Sequence, residues 1–439
     1  MHTASYSSSA AGPSRSSKAV SPGFSRPSVV TTSLAKTTLL ADGKKMINRY
    51  VMDAKVGSGQ HGNVWRCYDY NYSDGQSPVL AMKIVKRDNP KAKRDRQYKM
   101  LRAGNSNNSA NSVSSAKRTT PTVVDGIRTA EQEIRKEIAI MKKCRHPHVV
   151  KLFEVIDDRK NNKVFMIMEY LGGGEIQYTT NAGGGPRPVL TVEQTRRIIR
   201  DAILGLEYLH HQGIIHRDIK PANLLWSTGH ETVKIADFGT AHFSYAQRLA
   251  AAKADPEALI SPWQEEDPLL LNDADLAKRA GSPAFLAPEI VWEFTAWPKA
   301  AKWYPSVDID TSSGDGERPP RPPRPPVTKS IDIWALGVTL YCLLFGKVPF
   351  RLPDEGEDKR VFTEWVGYGY ICNKDWRKEQ RMGREGVPTG YIKRKRISAV
   401  NRGDDARREE EGRLVMHLLD HLLTKDLQAR ITLQEVKVR

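Results

Sequence analysis

The chain has 439 residues, 39% apolar and 27% charged, with a formal net charge of +17. Such a length supports two or three lobes with sizeable cores, and the composition is that of a globular protein with polar appendages. No apolar run reaches the ~18 residues a membrane span needs, so no membrane partner is expected; collagen-like and wholly disordered readings are excluded as well.

The segment Met1 to Ala41 lacks an apolar h-region, so no secretory signal is expected, and a transit peptide is the weaker alternative. Cys67, Cys144, Cys342 and Cys372 are widely spaced and form no C-x-x-C pair. That pattern suits neither a disulfide framework nor a zinc site and points to a reducing, cytoplasmic compartment. Positive charge is concentrated in residues 1–50, 86–118 and 376–402, which carry +6, +8 and +7 and leave the remainder at −4. A nucleic-acid surface interleaves aromatic residues with charge, yet 86–118 offers only Tyr98. These stretches read as solvated basic loops, with an acidic docking partner as the alternative and no nucleic acid expected. Lys393-Arg394-Lys395-Arg396 keeps a nuclear location open.

In chain order, residues 1–49 are Ser/Thr-rich and read as a disordered tail. Tyr50 to Val56 and Asn63 to Tyr70 alternate as a hairpin, and Val79 to Val85 reads as a buried strand. Residues 87–125 form a basic, Asn/Ser-rich flexible insert. Thr129 to Lys143 places Ile134, Ile138 and Met141 at helical spacing. Lys163 to Tyr170 reads as a strand. Thr191 to His211 is the clearest helix, with Thr191 and Gln194 as a capping box. Two further inserts span 240–278 and 299–327. The second contains the polyproline II stretch Arg318 to Pro326, an exposed spacer or, alternatively, a ligand for an SH3-like domain. Ser330 to Phe345 is apolar nearly all round, as a buried helix should be. Strands dominate to about residue 169 and helices from about 170, an α+β pattern of two lobes.

The chemistry starts at Gly57-Ser58-Gly59-Gln60-His61-Gly62, a turn whose backbone N–H groups can approach phosphates. A dinucleotide fold uses similar spacing. Here Asn63-Val64-Trp65-Arg66-Cys67 continues as a strand, so the turn reads as a lid between strands. Lys83 on a buried strand needs a counter-charge, and Glu137 on the next helix is the candidate. Then follow, in order, His216-Arg217-Asp218-Ile219-Lys220-Pro221-Ala222-Asn223, Asp237-Phe238-Gly239 and Ala287-Pro288-Glu289.

This ordered set resembles the eukaryotic protein kinases. Lys220, two residues beyond Asp218, and Gly281-Ser282-Pro283 resemble the serine/threonine type. More narrowly, Glu137 to Lys143, His146 to Leu152, Ile214-Ile215-His216, Gly281 to Phe285 and Gly337 to Cys342 resemble the calcium/calmodulin-dependent protein kinase kinases and their fungal relatives upstream of AMP-activated protein kinase.

The resemblance implies a bilobal protein kinase fold over about 50–439, with a small mainly-β lobe (about 50–169) and a larger mainly-α lobe (about 170–439). It implies transfer of the ATP γ-phosphate to Ser/Thr hydroxyls of protein substrates, with ATP and Mg2+ as cofactors and AMP-activated-type kinase subunits as candidate targets. Asp218 would accept the substrate hydroxyl proton, Lys220 would offset γ-phosphate charge, and Lys83 would contact the α/β-phosphates. Residues Val56, Gly57, Ser58, Gly59, Gln60, His61, Gly62 and Asn63 would cover the nucleotide. Val64, Ala81 and Leu225 would sandwich the adenine, Glu169 and Leu171 would offer backbone groups to its edge, and Glu175 would meet the ribose. Asn223 and Asp237 would hold Mg2+. Asp332 is expected to cap the catalytic loop, Glu289 to pair with Arg430, and Leu152, Met141, Phe238 and His216 to stack between the lobes.

Departures accompany the match. The Arg-Pro repeat follows Ala287-Pro288-Glu289 instead of preceding the Glu137 helix. The chain stops at Arg439 with no basic amphipathic segment after it, so calmodulin is not an expected partner. Between Phe238 and Ser282 the hydroxyls are Thr240, Ser244, Tyr245 and Ser261. None stands at the expected regulatory position, and a carboxylate from Glu265, Glu266, Asp267, Asp273 or Asp275 is expected to partner Arg217. Two readings of other classes remain: an ATP-binding pseudokinase scaffold, and an adaptor docking through its basic or Pro-rich inserts.

Overall fold

The computed structural model describes residues 29–59, 62–71, 77–87, 130–181, 185–244, 246, 248–249, 273–295, 324–350, 364–390 and 402–438. Gln60, His61 and most of the three inserts lie outside these residues.

The first lobe is one eight-stranded sheet packed on a helix. Its strands are Val30–Thr32 (β1), Thr37–Leu39 (β2), Lys45–Ile47 (β3), Tyr50–Gly59 (β4), Gly62–Asp69 (β5), Val79–Lys86 (β6), Leu152–Asp158 (β7) and Lys163–Glu169 (β8). The order is β1-β7-β8-β6-β5-β4-β3-β2. Side chains alternate between sheet faces with period two, and β6 uses both faces. Met82 packs with Ile47, Tyr50, Cys67, Ile156, Phe165 and Ile167 on the outer face. Ala81 and Val85 join the main core with Ile134 and Met141 of the helix Ala130–Lys143 (α1). Lys83 shares their parity and therefore points to α1.

The expected disordered tail is corrected in part. Residues 30–47 supply three strands, and β1 pairs in parallel with β7 through Val30↔Glu154, Thr31↔Val155 and Thr32↔Ile156. Val and Thr favour extended backbone, and the two opposite edges of the sheet give these short segments partners. Glu154, buried on β7, draws the ends together. It accepts from Thr32 Oγ1 at 2.9 Å and Tyr50 Oη at 2.6 Å, and pairs with Arg49 at 3.0 Å. β7 itself breaks apolar alternation because Glu154 and Asp158 are buried and satisfied by side-chain partners.

The second lobe is helical: Val192–His211 (α2), Ser330–Phe345 (α3), Glu364–Asn373 (α4), Arg402–Leu422 (α5) and Leu433–Val438 (α6). The capping box forms as expected, with Thr191 Oγ1 accepting from the Gln194 N–H and Gln194 Oε1 accepting from the Thr191 N–H. Every residue of α3 from Ile331 to Phe345 is buried. Gly346 ends it at φ +71°, where a Cβ would meet the Arg187 backbone at 2.7 Å, so only glycine fits. Glu289 and Arg430 form the expected buried pair at 2.7 and 3.0 Å, with Arg430 also over the Trp334 ring.

The insert boundaries also move inward. Arg87 bridges Glu131 and Asp157. His242–Phe243 pairs with Ile214–Ile215. Arg324, inside the expected Arg-Pro spacer, is half-buried and bonded to three carbonyls. No helix among the described residues is long and apolar enough to cross a membrane.

Candidate active site

Parity on β6 and helical spacing on α1 bring two charges together. Lys83 Nζ lies 2.5 Å from Glu137 Oε1 and 3.4 Å from Asp237 Oδ1. Both Lys83 and Glu137 are buried. Burial alone would lower the Lys83 pKa, but the charges of Glu137 and Asp237 outweigh it and raise the value. Lys83 is therefore a fixed cation at the wall of the cleft.

The catalytic loop is built on Asp332, buried in the first turn of α3. Its carboxylate accepts from the backbone N–H of His216 at 2.9 Å and of Arg217 at 2.8 Å, and bonds His210 Nε2 at 2.8 Å. This fixes Arg217 at φ +69°, a conformation a non-glycine residue keeps only when held. Asp218 follows. Its Oδ2 accepts from Lys220 Nζ at 2.7 Å and Asn223 Nδ2 at 2.9 Å, and its Oδ1 accepts from the Ser282 N–H at 2.8 Å. Lys220 also donates to Ser282 Oγ at 2.7 Å. Burial raises the Asp218 pKa, but the Lys220 bond and charge, with the Ser282 bond, bring it below the usual carboxylate range. Asp218 is thus an ionised carboxylate held in one orientation.

Asp237 faces the same space, with φ +60° and a side chain 42% exposed. Phe238 turns away and packs edge-on to His216, ring centroids 5.1 Å apart. Phe238, Met141 and Leu152 are buried in the main core, and His216 is fully buried beside Phe238.

Over the cleft, β4 and β5 pair through Gly57↔Val64, Ser58↔Asn63 and Gly59↔Gly62. Gly62 is obligatory: φ is +128° and a Cβ would sit 2.3 Å from the Ile84 carbonyl oxygen. Gly57 has ordinary space beside it. Val64 is the register partner of Lys83, and Ala81 that of Met168. At the end of β8, Glu169 pairs with Lys234 at 2.8 Å, and Leu171 is buried. Glu175 is the register partner of Leu225. Lys83, Glu137 and Asp237 thus form one charged group, and Asp218, Lys220, Asn223 and Ser282 a second. Val56, on β4 next to Gly57, is 47% exposed.

Residues 107–309 match the family model described as Protein kinase domain. The chain is 35% identical over 396 residues to Serine/threonine-protein kinase ssp1 of Schizosaccharomyces pombe and 33% identical over 438 residues to SNF1-activating kinase 1 of Saccharomyces cerevisiae. It is 32% identical over 336 residues to the calcium/calmodulin-dependent protein kinase kinase of Caenorhabditis elegans. The matches cover 90%, 98% and 75% of this chain. This chain carries a protein kinase domain and is similar to serine/threonine kinases. It spans 43%, 31% and 47% of the length of those three relatives.

Ser282 and Gly281 lie against the catalytic-loop residues as well. Ser282, within Gly281-Ser282-Pro283, places both its N–H and its Oγ in the Asp218–Lys220 cluster. Gly281, at φ +109°, passes so close to Arg217 that a Cβ would lie 2.3 Å from its carbonyl oxygen. The adjacent Gly-Ser-Pro was the available signal. Arg217 reaches the same segment by donating to the Lys278 carbonyl at 2.6 Å. Asp275 bonds the Lys278 ammonium at 2.5 Å. Of the other expected acids, Glu265, Glu266 and Asp267 lie outside the described residues, as does the Asp273 side chain.

Proposed function

We propose that the chain transfers the γ-phosphate of ATP to Ser or Thr hydroxyls of proteins, and that its targets include the activation loops of AMP-activated-type kinases. The transfer reading is supported by Lys83, paired to Glu137 and 3.4 Å from Asp237, and by Asp218, bonded to Lys220 and Asn223. The finer target assignment is supported by the relative whose name is SNF1-activating kinase 1.

The donor set fits a metal shared with substrate phosphates. Asn223 commits its amide nitrogen to Asp218, which leaves the amide oxygen for a cation. Asp237 keeps a partly exposed carboxylate. Among the described residues no cluster of three or more His, Cys, Asp or Glu could hold a metal alone. Two oxygen donors plus phosphate oxygens suit Mg2+, which retains part of its shell for substrate. When bound, Mg2+ would neutralise charge on the phosphates.

The protein's own residues then have distinct tasks. The β4–β5 backbone covers the phosphates, and Lys83 holds the α/β-phosphates. Val64, Ala81 and Leu225 pack the adenine, with Glu169 and Leu171 at its edge and Glu175 at the ribose. Asp218 orients the substrate hydroxyl and takes its proton as the oxygen bonds to the γ-phosphorus and ADP leaves. Lys220 offsets charge on the transferring group. Arg217 engages a backbone carbonyl of the activation segment, so the segment is held without a loop phosphate, and phosphatase-treated protein keeps its activity.

The test is a Mg2+-ATP assay against an inactive AMP-activated-type kinase subunit and a generic basic protein. Phosphate on the activation loop of the first, with little on the second, is expected. Equal labelling of both would remove the target assignment, and labelling of neither would remove the transferase reading.

A further inference from the structure

Arg324 closes the Arg-Pro-Pro repeat, yet it turns into the protein. Its Nε donates to the Glu289 carbonyl at 3.2 Å, and its Nη2 donates to the carbonyls of Ala277 at 2.7 Å and Ile290 at 3.1 Å. Ala277 ends the short turn Asp273–Ala277, upstream of Gly281. Glu289 and Ile290 lie downstream, next to the buried Glu289–Arg430 pair. One guanidinium therefore clasps both ends of the segment that crosses the catalytic loop.

A second arginine holds the next residue from the other side, since Arg217 donates to the Lys278 carbonyl at 2.6 Å. Between these anchors and Asp218 the chain has little slack. Gly281 presses on the Arg217 carbonyl, and Ser282 bonds both Asp218 and Lys220. Arg324 is itself fixed, because its chain enters the buried α3 six residues later, at Ser330.

We infer that Arg324 is a positioning residue: by fixing Ala277 against Glu289 and Ile290 it sets where Ser282 meets Asp218. The inference rests on the transferase reading above and adds to it a role for the end of the Pro-rich insertion. Hydrogen bonds from an ionised donor are stronger than neutral ones. A planar fork reaches carbonyls of two segments at once, which a lysine ammonium on a flexible stem does not do as well. The described hydrogen bonds of Arg324 go to carbonyls of Ala277, Glu289 and Ile290, so its effect passes through the segment.

The test compares wild type, Arg324→Ala, Arg324→Lys and Asp218→Asn in the full chain. It measures kcat and KM for the protein substrate, ATP affinity, Tm, and the rate of trypsin cleavage after Lys278 and Arg279. Arg324→Ala is expected to lower kcat/KM for the protein substrate about tenfold, the scale of a lost charged hydrogen bond. ATP affinity and Tm should stay near wild type, while cleavage at 278–279 accelerates by a similar factor. Arg324→Lys should recover part of both effects, and it carries the comparison if the alanine variant does not fold. Wild-type cleavage at 278–279, or activity loss that only follows a fall in Tm, would overturn the inference. If wild type transfers no phosphate, the transferase reading fails by itself. The cleavage rates of Arg324→Ala and Arg324→Lys then decide the anchoring alone.

Discussion

Lys83 and Glu137, 54 residues apart in sequence, meet at 2.5 Å in a place where neither is solvated. An ion pair so buried gains little net stability, but removing one partner leaves the other charge stranded. The pair therefore works as a register mark: it exists only when α1 sits against β6 with Asp237 facing Lys83.

Glu137→Gln should separate placement from folding. The amide fills the same volume and can still accept a bond from Lys83, but the charge is gone. Turnover should fall by ~10-fold or more, as loss of a positioning group does, while Asp218 and its partners stay assembled. Steady-state kinetics beside a thermal melt checks this. Unchanged kcat/KM would mean that the pair does not hold Lys83 for phosphate.

The Glu289–Arg430 pair offers a stability test away from the cleft. Both side chains are almost wholly buried, and Arg430 also donates to the carbonyls of Thr424 and Ser330. Arg430→Met should cost ~3–5 kcal/mol, because Glu289 is then left charged and unpaired. Adding Glu289→Leu should cost less than the sum of the single changes. Urea unfolding of the four proteins measures the coupling; additive losses would contradict it.

Asp332 makes the pH dependence predictable. Burial raises its pKa, but the bond and charge of His210, the charge of His216 and the Arg217 N–H lower it below the ordinary value. A carboxyl whose folded pKa is depressed contributes stability above its unfolded pKa, ~3.9, and loses it as pH falls through the folded value. Asp218 has the same sign. Stability should therefore drop below about pH 4. In Asp332→Asn, stability at neutral pH should be lower and the acid loss smaller. Denaturation midpoints across pH 2–7 would show it, and an identical acid limb in both proteins would contradict it.

Much of the site was legible in sequence because its chemistry is local. Asp218, Lys220 and Asn223 stand within six residues, and their spacing alone puts the three side chains in reach of one another. The α2 capping box and the all-apolar α3 were readable for the same reason. What escaped depends on partners far along the chain. β1 to β3 are three-residue strands in a Ser/Thr-rich stretch, stable only because the sheet has edges to pair with. β7 hides its strand character behind Glu154, whose burial makes sense once Tyr50, Arg49 and Thr32 are seen around it. Arg324 was concealed by the repeat that contains it.

Ile47 tests the corrected boundary. Its side chain is 1% exposed in the outer cluster with Tyr50 and Met82. Ile47→Ala should destabilise the protein by ~2–5 kcal/mol, the usual range for a buried large-to-small change. A disordered tail would make the substitution neutral. Chemical denaturation distinguishes the two, and a change within error of zero would return residues 30–47 to the tail.

The central claim is that Asp218 takes the proton of a protein hydroxyl during transfer from ATP. The direct measurement is single-turnover transfer to the activation loop of an AMP-activated-type kinase subunit by wild type and Asp218→Asn, with nucleotide affinity measured separately. The asparagine keeps the shape, its single amide oxygen can accept from Lys220 or from the Ser282 N–H but not from both, and Lys83, Glu137 and Asp237 are unchanged, so ATP should bind as before. Transfer should slow by at least ~10²-fold, the lower end of a general base's contribution. Transfer by Asp218→Asn at nearly the wild-type rate would contradict the account.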